Sequence, residues 1–104
     1  ARETYIDLIK KAENSFIRDL AKLKLSYLNV DNDSFEQIQG ELSSIVENDN
    51  PLSLFAYEVL AMSAYKHGLY ERGVEYLNII ITNDKTTNGM FDRAQMMLKV
   101  MDSK

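Results

Sequence analysis

One spacing rule recurs along this chain and restricts its fold more than any other feature. A capping residue, a small residue six positions on and a Leu four beyond that occur as Ser15, Ala21, Leu25, then as Asn50, Ala56, Leu60, then as Asn88, Ala94, Leu98. Between these triplets Phe35, Leu42, Ile45 is echoed by Tyr70, Leu77, Ile80. The first copy is carried onto the second by a shift of 35 residues in both patterns, and the third lies 38 further on, the surplus falling in the Asp84 to Gly89 loop. A small residue at a fixed place on alternate helices lets a neighbour approach closely, and the aromatic and Leu/Ile positions fill the space between pairs.

The rest of the apolar pattern is helical. Phe16, Leu20, Leu23 and Tyr27 recur at three and four. Breaks fall at 13–15, 31–34, 48–51, 67–69 and 83–89, where caps and turn formers cluster. Ser34 with Gln37 has the form of a capping box, Asn50-Pro51 that of an N-cap followed by proline, and Gly68 after Lys66 and His67 that of a helix terminator. Gly and Pro total only five residues, too few for many short strands. Six helices are predicted, near 2–12, 16–30, 34–47, 51–67, 70–83 and 89–102. Strand propensity competes only at Asn78 to Thr82, which continues a helical run without a breaker and is kept helical. Short links make neighbouring helices antiparallel.

A helix–turn–helix unit of this period resembles the tetratricopeptide repeat (TPR). Residues 57–85 carry its marks in Leu60-Ala61, Gly68-Leu69-Tyr70-Glu71 and Tyr76-Leu77, with Gly73 where the motif prefers Ala and Lys85 where it often has Pro. Residues 20–50 match more loosely, Asp33 replacing the turn glycine and Ile38 the small residue. The expected fold is all-α: about six helices in antiparallel hairpins, stacked as a TPR-like right-handed solenoid in a single domain spanning 1–104. Helix 2–12 is read as the trailing helix of an upstream repeat, 16–47 and 51–83 as repeats, and 89–102 as a capping helix.

A wider resemblance runs from about residue 4 to 102. Phe16-x-x-x-Leu20-Ala21-x-Leu23-x-Leu25, Asn50-Pro51-Leu52, Ala61-x-x-Ala64-Tyr65-Lys66-x-Gly68 and Arg93-Ala94-Gln95 together resemble the YfgM-like family. Membership would imply a bacterial inner-membrane protein, anchored by one N-terminal helix, whose TPR-like domain lies on the periplasmic side. The implied role is that of an accessory to the Sec translocon and the periplasmic chaperone network, with translocon or chaperone components or client segments as partners. No run in the chain approaches the ~18 apolar residues of a span. The chain opens on Ala1 inside a helical pattern, so the anchor that the resemblance implies would lie upstream of it.

Catalytic, cofactor-binding and metal-ligating groups are expected to be absent. Without Cys, thiol chemistry and Cys-ligated zinc are excluded. Asp31-Asn32-Asp33 opens like a calcium loop but lacks its glycine and its twelfth-position Glu, Leu42 standing there. His67 has no second His, and Glu71 with Glu75, like Glu36 among its neighbouring acids, reads as a solvated helix face. The net charge of −4 argues against a nucleic-acid surface. Charge is uneven: residues 31–60 hold seven acids and no base. That stretch is either a solvated face or one that steers a basic partner.

A protein-binding groove is therefore the expected site. The motif's groove positions, carried onto this sequence, select Leu23, Tyr27, Glu58, Met62, Tyr65, Lys66, Arg93 and Met96. Met and aromatic side chains suit varied apolar segments. Met62, Met96 and Met97 can also be read as core or end-cap filling. The paired Lys and Asn of carboxylate-clamping TPR domains are missing. Two other roles stay open: a soluble cytoplasmic TPR adaptor holding a regulatory protein, and a structural homo-oligomerisation unit. If helix 2–12 has lost its upstream partner, Tyr5, Ile6, Leu8 and Ile9 are partly uncovered, and a homodimer through residues 2–12 is expected.

Overall fold

The computed structural model describes residues 2–11, 14–47 and 50–104. Its elements are α1 (Arg2–Lys11), α2 (Ser15–Leu28), α3 (Phe35–Val46), α4 (Ser53–Lys66), α5 (Tyr70–Thr82) and α6 (Asn88–Asp102). Among the described residues there is no strand, and Asn78 to Thr82 completes α5. The predicted last residue of the first helix, Ala12, and three break residues, Glu13, Asn48 and Asp49, lie outside the described residues.

Local chemistry explains the boundaries. Ser34 accepts the Gln37 amide at 3.1 Å while the Gln37 side chain accepts the Ser34 amide at 2.8 Å, so the capping box is complete. Gly68 adopts φ +73°, which costs an L side chain about 1–2 kcal/mol. There the Leu69 amide reaches the Ala64 carbonyl at 2.8 Å and the Gly68 amide that of Tyr65 at 3.2 Å, closing α4 in a Schellman motif.

Two expected caps move by one residue. Asn14 rather than Ser15 caps α2, accepting from the Phe16 amide at 2.8 Å. Thr87 rather than Asn88 caps α6 through the Met90 amide. In each case the earlier side chain reaches the free amides of the first turn, and its neighbour enters the helix. Asn50 binds the Leu52 amide at 2.8 Å, but Pro51 and Leu52 form a turn and α4 begins only at Ser53. Helix α2 likewise stops at Leu28, two residues short of expectation; Asn29 turns the chain and Val30 drops into the core.

Each helix packs on the next in sequence, and α2 also packs on α4. The chain measures 42 × 30 × 20 Å along its principal axes. Its interior forms two apolar clusters that meet at α4. Phe35, Ile38, Leu42 and Ile45 of α3 join Ala56, Val59 and Leu60 of α4 in the first. Leu77 and Ile80 of α5 join Ala61 of α4 and Met90, Ala94 and Met101 of α6 in the second. Helix α4 is thus buried on opposite sides, which is why apolar residues surround it. An aromatic contact crosses between clusters: Phe35 lies 6.4 Å from Tyr76, which lies 5.9 Å from Tyr57.

The repeated small residues Ala21, Ala56 and Ala94 are all buried, as are Leu42, Ile45, Leu77 and Ile80. Gly73, where the TPR motif prefers Ala, has a physical reason. A Cβ there would lie 2.6 Å from the Met101 sulfur and 3.5 Å from Ala64 Cβ, so Met101 occupies the space an alanine methyl would take.

Helix α1 differs from α3 and α5. The 35-residue shift carries Leu42 and Ile45 onto Asp7 and Lys10, both exposed. Tyr5, Ile6 and Ile9 are half-buried and Leu8 is exposed, so α1 leans on α2 through a different stripe.

Candidate functional site

Helices α2, α4 and α6 carry the same spacing, and the fold brings equivalent residues to one face. Between α2 and α4 lies an open depression of about 200 Å³ lined by Leu23, Lys24, Tyr27, Phe55, Glu58, Val59 and Met62. Between α4 and α6 lies a second, of about 320 Å³, lined by Tyr65, Met96, Met97, Val100 and Met101. Cavities of this size sit at or below the lower end for whole small molecules and suit one or two side chains each.

A forked ion pair sits between the two. Arg93 donates through Nη2 to Glu58 Oε1 at 2.8 Å and through Nε to Oε2 at 3.1 Å. The Glu58 side chain is only 15% exposed and that of Arg93 54%. Glu58 holds the guanidinium above its ordinary range, first by the hydrogen bond and then by charge. This two-pronged contact fixes α6 in direction as well as distance against α4.

No family model, curated protein or solved structure matches this chain. The geometry itself therefore carries the functional reading.

Each residue selected from the sequence falls on or beside this face. Leu23, Tyr27, Glu58 and Met62 line the first depression, and Tyr65 and Met96 the second. Arg93 bridges them. Lys66 lies at the end of α4, where its ammonium pairs with Asp31 at 3.1 Å. The methionines divide. Met62 and Met97 are half-buried against the core while also lining the depressions, and Met96 is 69% exposed. Met62 and Met97 thus touch both the core and a depression, and Met96 is surface.

Sequence reasoning missed Phe55, Lys24, Val59, Val100 and Met101 as lining residues. Carrying every methionine and groove position through all three copies would have found most of them. The shifts equate Arg93 with Phe55, Tyr27 with Met62 and Val100, and Met97 with Val59 and Lys24.

Of the other groups weighed from sequence, Asp31, Asp33 and His67 make contacts between segments. Asp31 pairs with Lys66, and the Asp33 carbonyl oxygen lies 3.0 Å from His67 Nε2. Together they pin the end of α4 to the α2–α3 turn. Glu71 and Glu75 lie exposed at the start of α5, and Glu36 and Glu41 lie exposed on α3. Among the described residues no cluster of three or more His, Asp or Glu is placed to hold a metal ion. Among them, too, no helix is long and apolar enough to cross a membrane.

Proposed function

We propose that this chain is a non-enzymatic protein-interaction module built as a TPR-like array of helical hairpins, binding a segment of a partner protein along the face of α2, α4 and α6. The observation that carries this reading is the alignment of two apolar depressions on that face, joined through the Glu58–Arg93 fork. Supporting it are the shared spacing of the three helices and the contact of α2 with α4. Apolar partner side chains would seat in the depressions, and the energy would come from their desolvation against Met and aromatic surface.

The resemblance to the YfgM-like family would put such a module at the bacterial inner membrane, on the periplasmic side, as an accessory of the Sec translocon and its chaperones. About 20 apolar residues encoded upstream of Ala1 would agree with that location. A photoreactive group at Tyr65 should crosslink to translocon or chaperone components in membranes. In the Met62→Ala/Tyr65→Ala double variant, capture should fall about tenfold or more with helicity by circular dichroism retained. Unchanged capture would remove the groove from the mechanism.

Self-association is a second reading, favoured by the exposed Leu8, Phe16 and Ile17 on α1 and α2. Sedimentation across the micromolar range should then show a dimer that Leu8→Glu disperses; a monomer throughout would end that reading.

A further inference from the structure

The face formed by α2, α4 and α6 is cationic although the chain as a whole is acidic. Lys24 and Glu58 line the first depression, Arg93 pairs with Glu58, Lys66 with Asp31, and Lys104 stands at the second depression. Over α2, α4 and α6 six bases (Arg18, Lys22, Lys24, Lys66, Arg93, Lys99) stand against four acids (Asp19, Glu58, Asp92, Asp102). Asp31 and Glu58 are already engaged, Asp31 by Lys66 at 3.1 Å and Glu58 by Arg93. Lys24 lines the first depression and, among the described residues, has no ion-pair partner. At the second depression the Lys104 ammonium stands 5.9 Å over the Tyr65 ring. The intervening helices carry the opposite sign: α3 and α5 expose Glu36, Glu41, Glu71 and Glu75 against Arg72 alone.

From this separation we infer that the occupant of the groove is an acidic-apolar protein segment, with Leu- or Phe-like residues seated in the two depressions and carboxylates beside Lys24 and Lys104. The inference rests on the binding face described above and names its ligand chemistry. Apolar contacts supply the attraction; the two cations reject a basic segment of the same shape, because a like charge held beside Lys24 has no acid left to offset it. The acids of α3 and α5 turn such a ligand away from the other face.

Three fluorescein-labelled 12-residue peptides decide the matter: Leu and Phe alternating with Glu, the same with Lys for Glu, and the Glu peptide with Ser for every Leu and Phe. Fluorescence anisotropy at low salt should show the Glu peptide binding about tenfold more tightly than the Lys peptide. Lys24→Glu should remove about threefold to fivefold of that preference. The preference should shrink at about 0.5 M salt, where exposed charges are screened. Equal or tighter binding of the Lys peptide, lost in the Met62→Ala/Tyr65→Ala variant, would overturn the charge assignment and leave the groove standing. Binding of the Ser peptide as tight as that of the Glu peptide, or indifference to the double variant, would overturn the groove itself. A dimer that buries Tyr27 and Tyr65 and excludes all three peptides would hand the face to a second copy and end the proposal.

Discussion

Replacing Phe35 with Ala should destabilise the chain by about 3–5 kcal/mol, the range for emptying a buried aromatic site. Phe35 is 3% exposed and opens α3. Its ring meets Tyr76 of α5 at 6.4 Å, and the Arg72 guanidinium lies 5.2 Å above it. Tyr76 in turn meets Tyr57 of α4. The three rings together therefore link α3, α5 and α4, and truncating Phe35 removes the α3 end of that chain and leaves a void. Phe35→Leu should recover most of the loss, restoring apolar volume but not the ring contacts, which are worth about 0.5–1.5 kcal/mol. Urea denaturation of the three proteins would measure both steps. A Phe35→Ala loss below about 1 kcal/mol would mean that the aromatic bridge contributes little.

Leu77→Ala should cost about 2–5 kcal/mol and act mainly on one end of the molecule. Leu77 is fully buried in the second cluster, between Ala61 of α4 and Met90, Ala94 and Met101 of α6. A domain of this length has roughly 5–15 kcal/mol in total, so the loss is a large fraction of it. Helix α5 contacts both α4 and α6, and loosening it releases α6. The Glu58–Arg93 fork and the second depression should weaken with it, while α2 and α3, packed in the first cluster, keep their protection. Hydrogen exchange should quicken at α5 and α6 before α2 and α3, as expected where stability is divided among neighbouring units. Uniform acceleration would show instead that the two clusters unfold as one.

The helices were legible because their signals are local. The Ser34–Gln37 box and the Gly68 stop involve residues three to five apart, and each acts the same way in any fold. Where the reading slipped, two local donors or acceptors competed, as Asn14 did with Ser15 and Thr87 with Asn88; a one-residue choice of that kind depends on backbone angles that composition does not encode. The site was half legible. Tyr27, Met62 and Met96 follow from the TPR motif's groove positions, whereas Phe55 and Val100 needed the 35- and 38-residue shifts applied to every copy. Within the acidic stretch 31–60, Asp31 pairs with Lys66 and Glu58 with Arg93, each 35 residues away, and pairings at that separation do not show in the sequence.

By itself the order of residues determined that the chain forms helices, where most of them start and stop, and which sides of α3 and α5 are buried. Those outcomes depend on interactions within a few residues and on the 3.6-residue period. Only the tertiary structure decided which charges remain available, that α1 leans on α2 by its own stripe, and that Met101 fills the space beside Gly73. Each of these depends on distances between segments far apart in the chain, and periodicity carries no information about such distances.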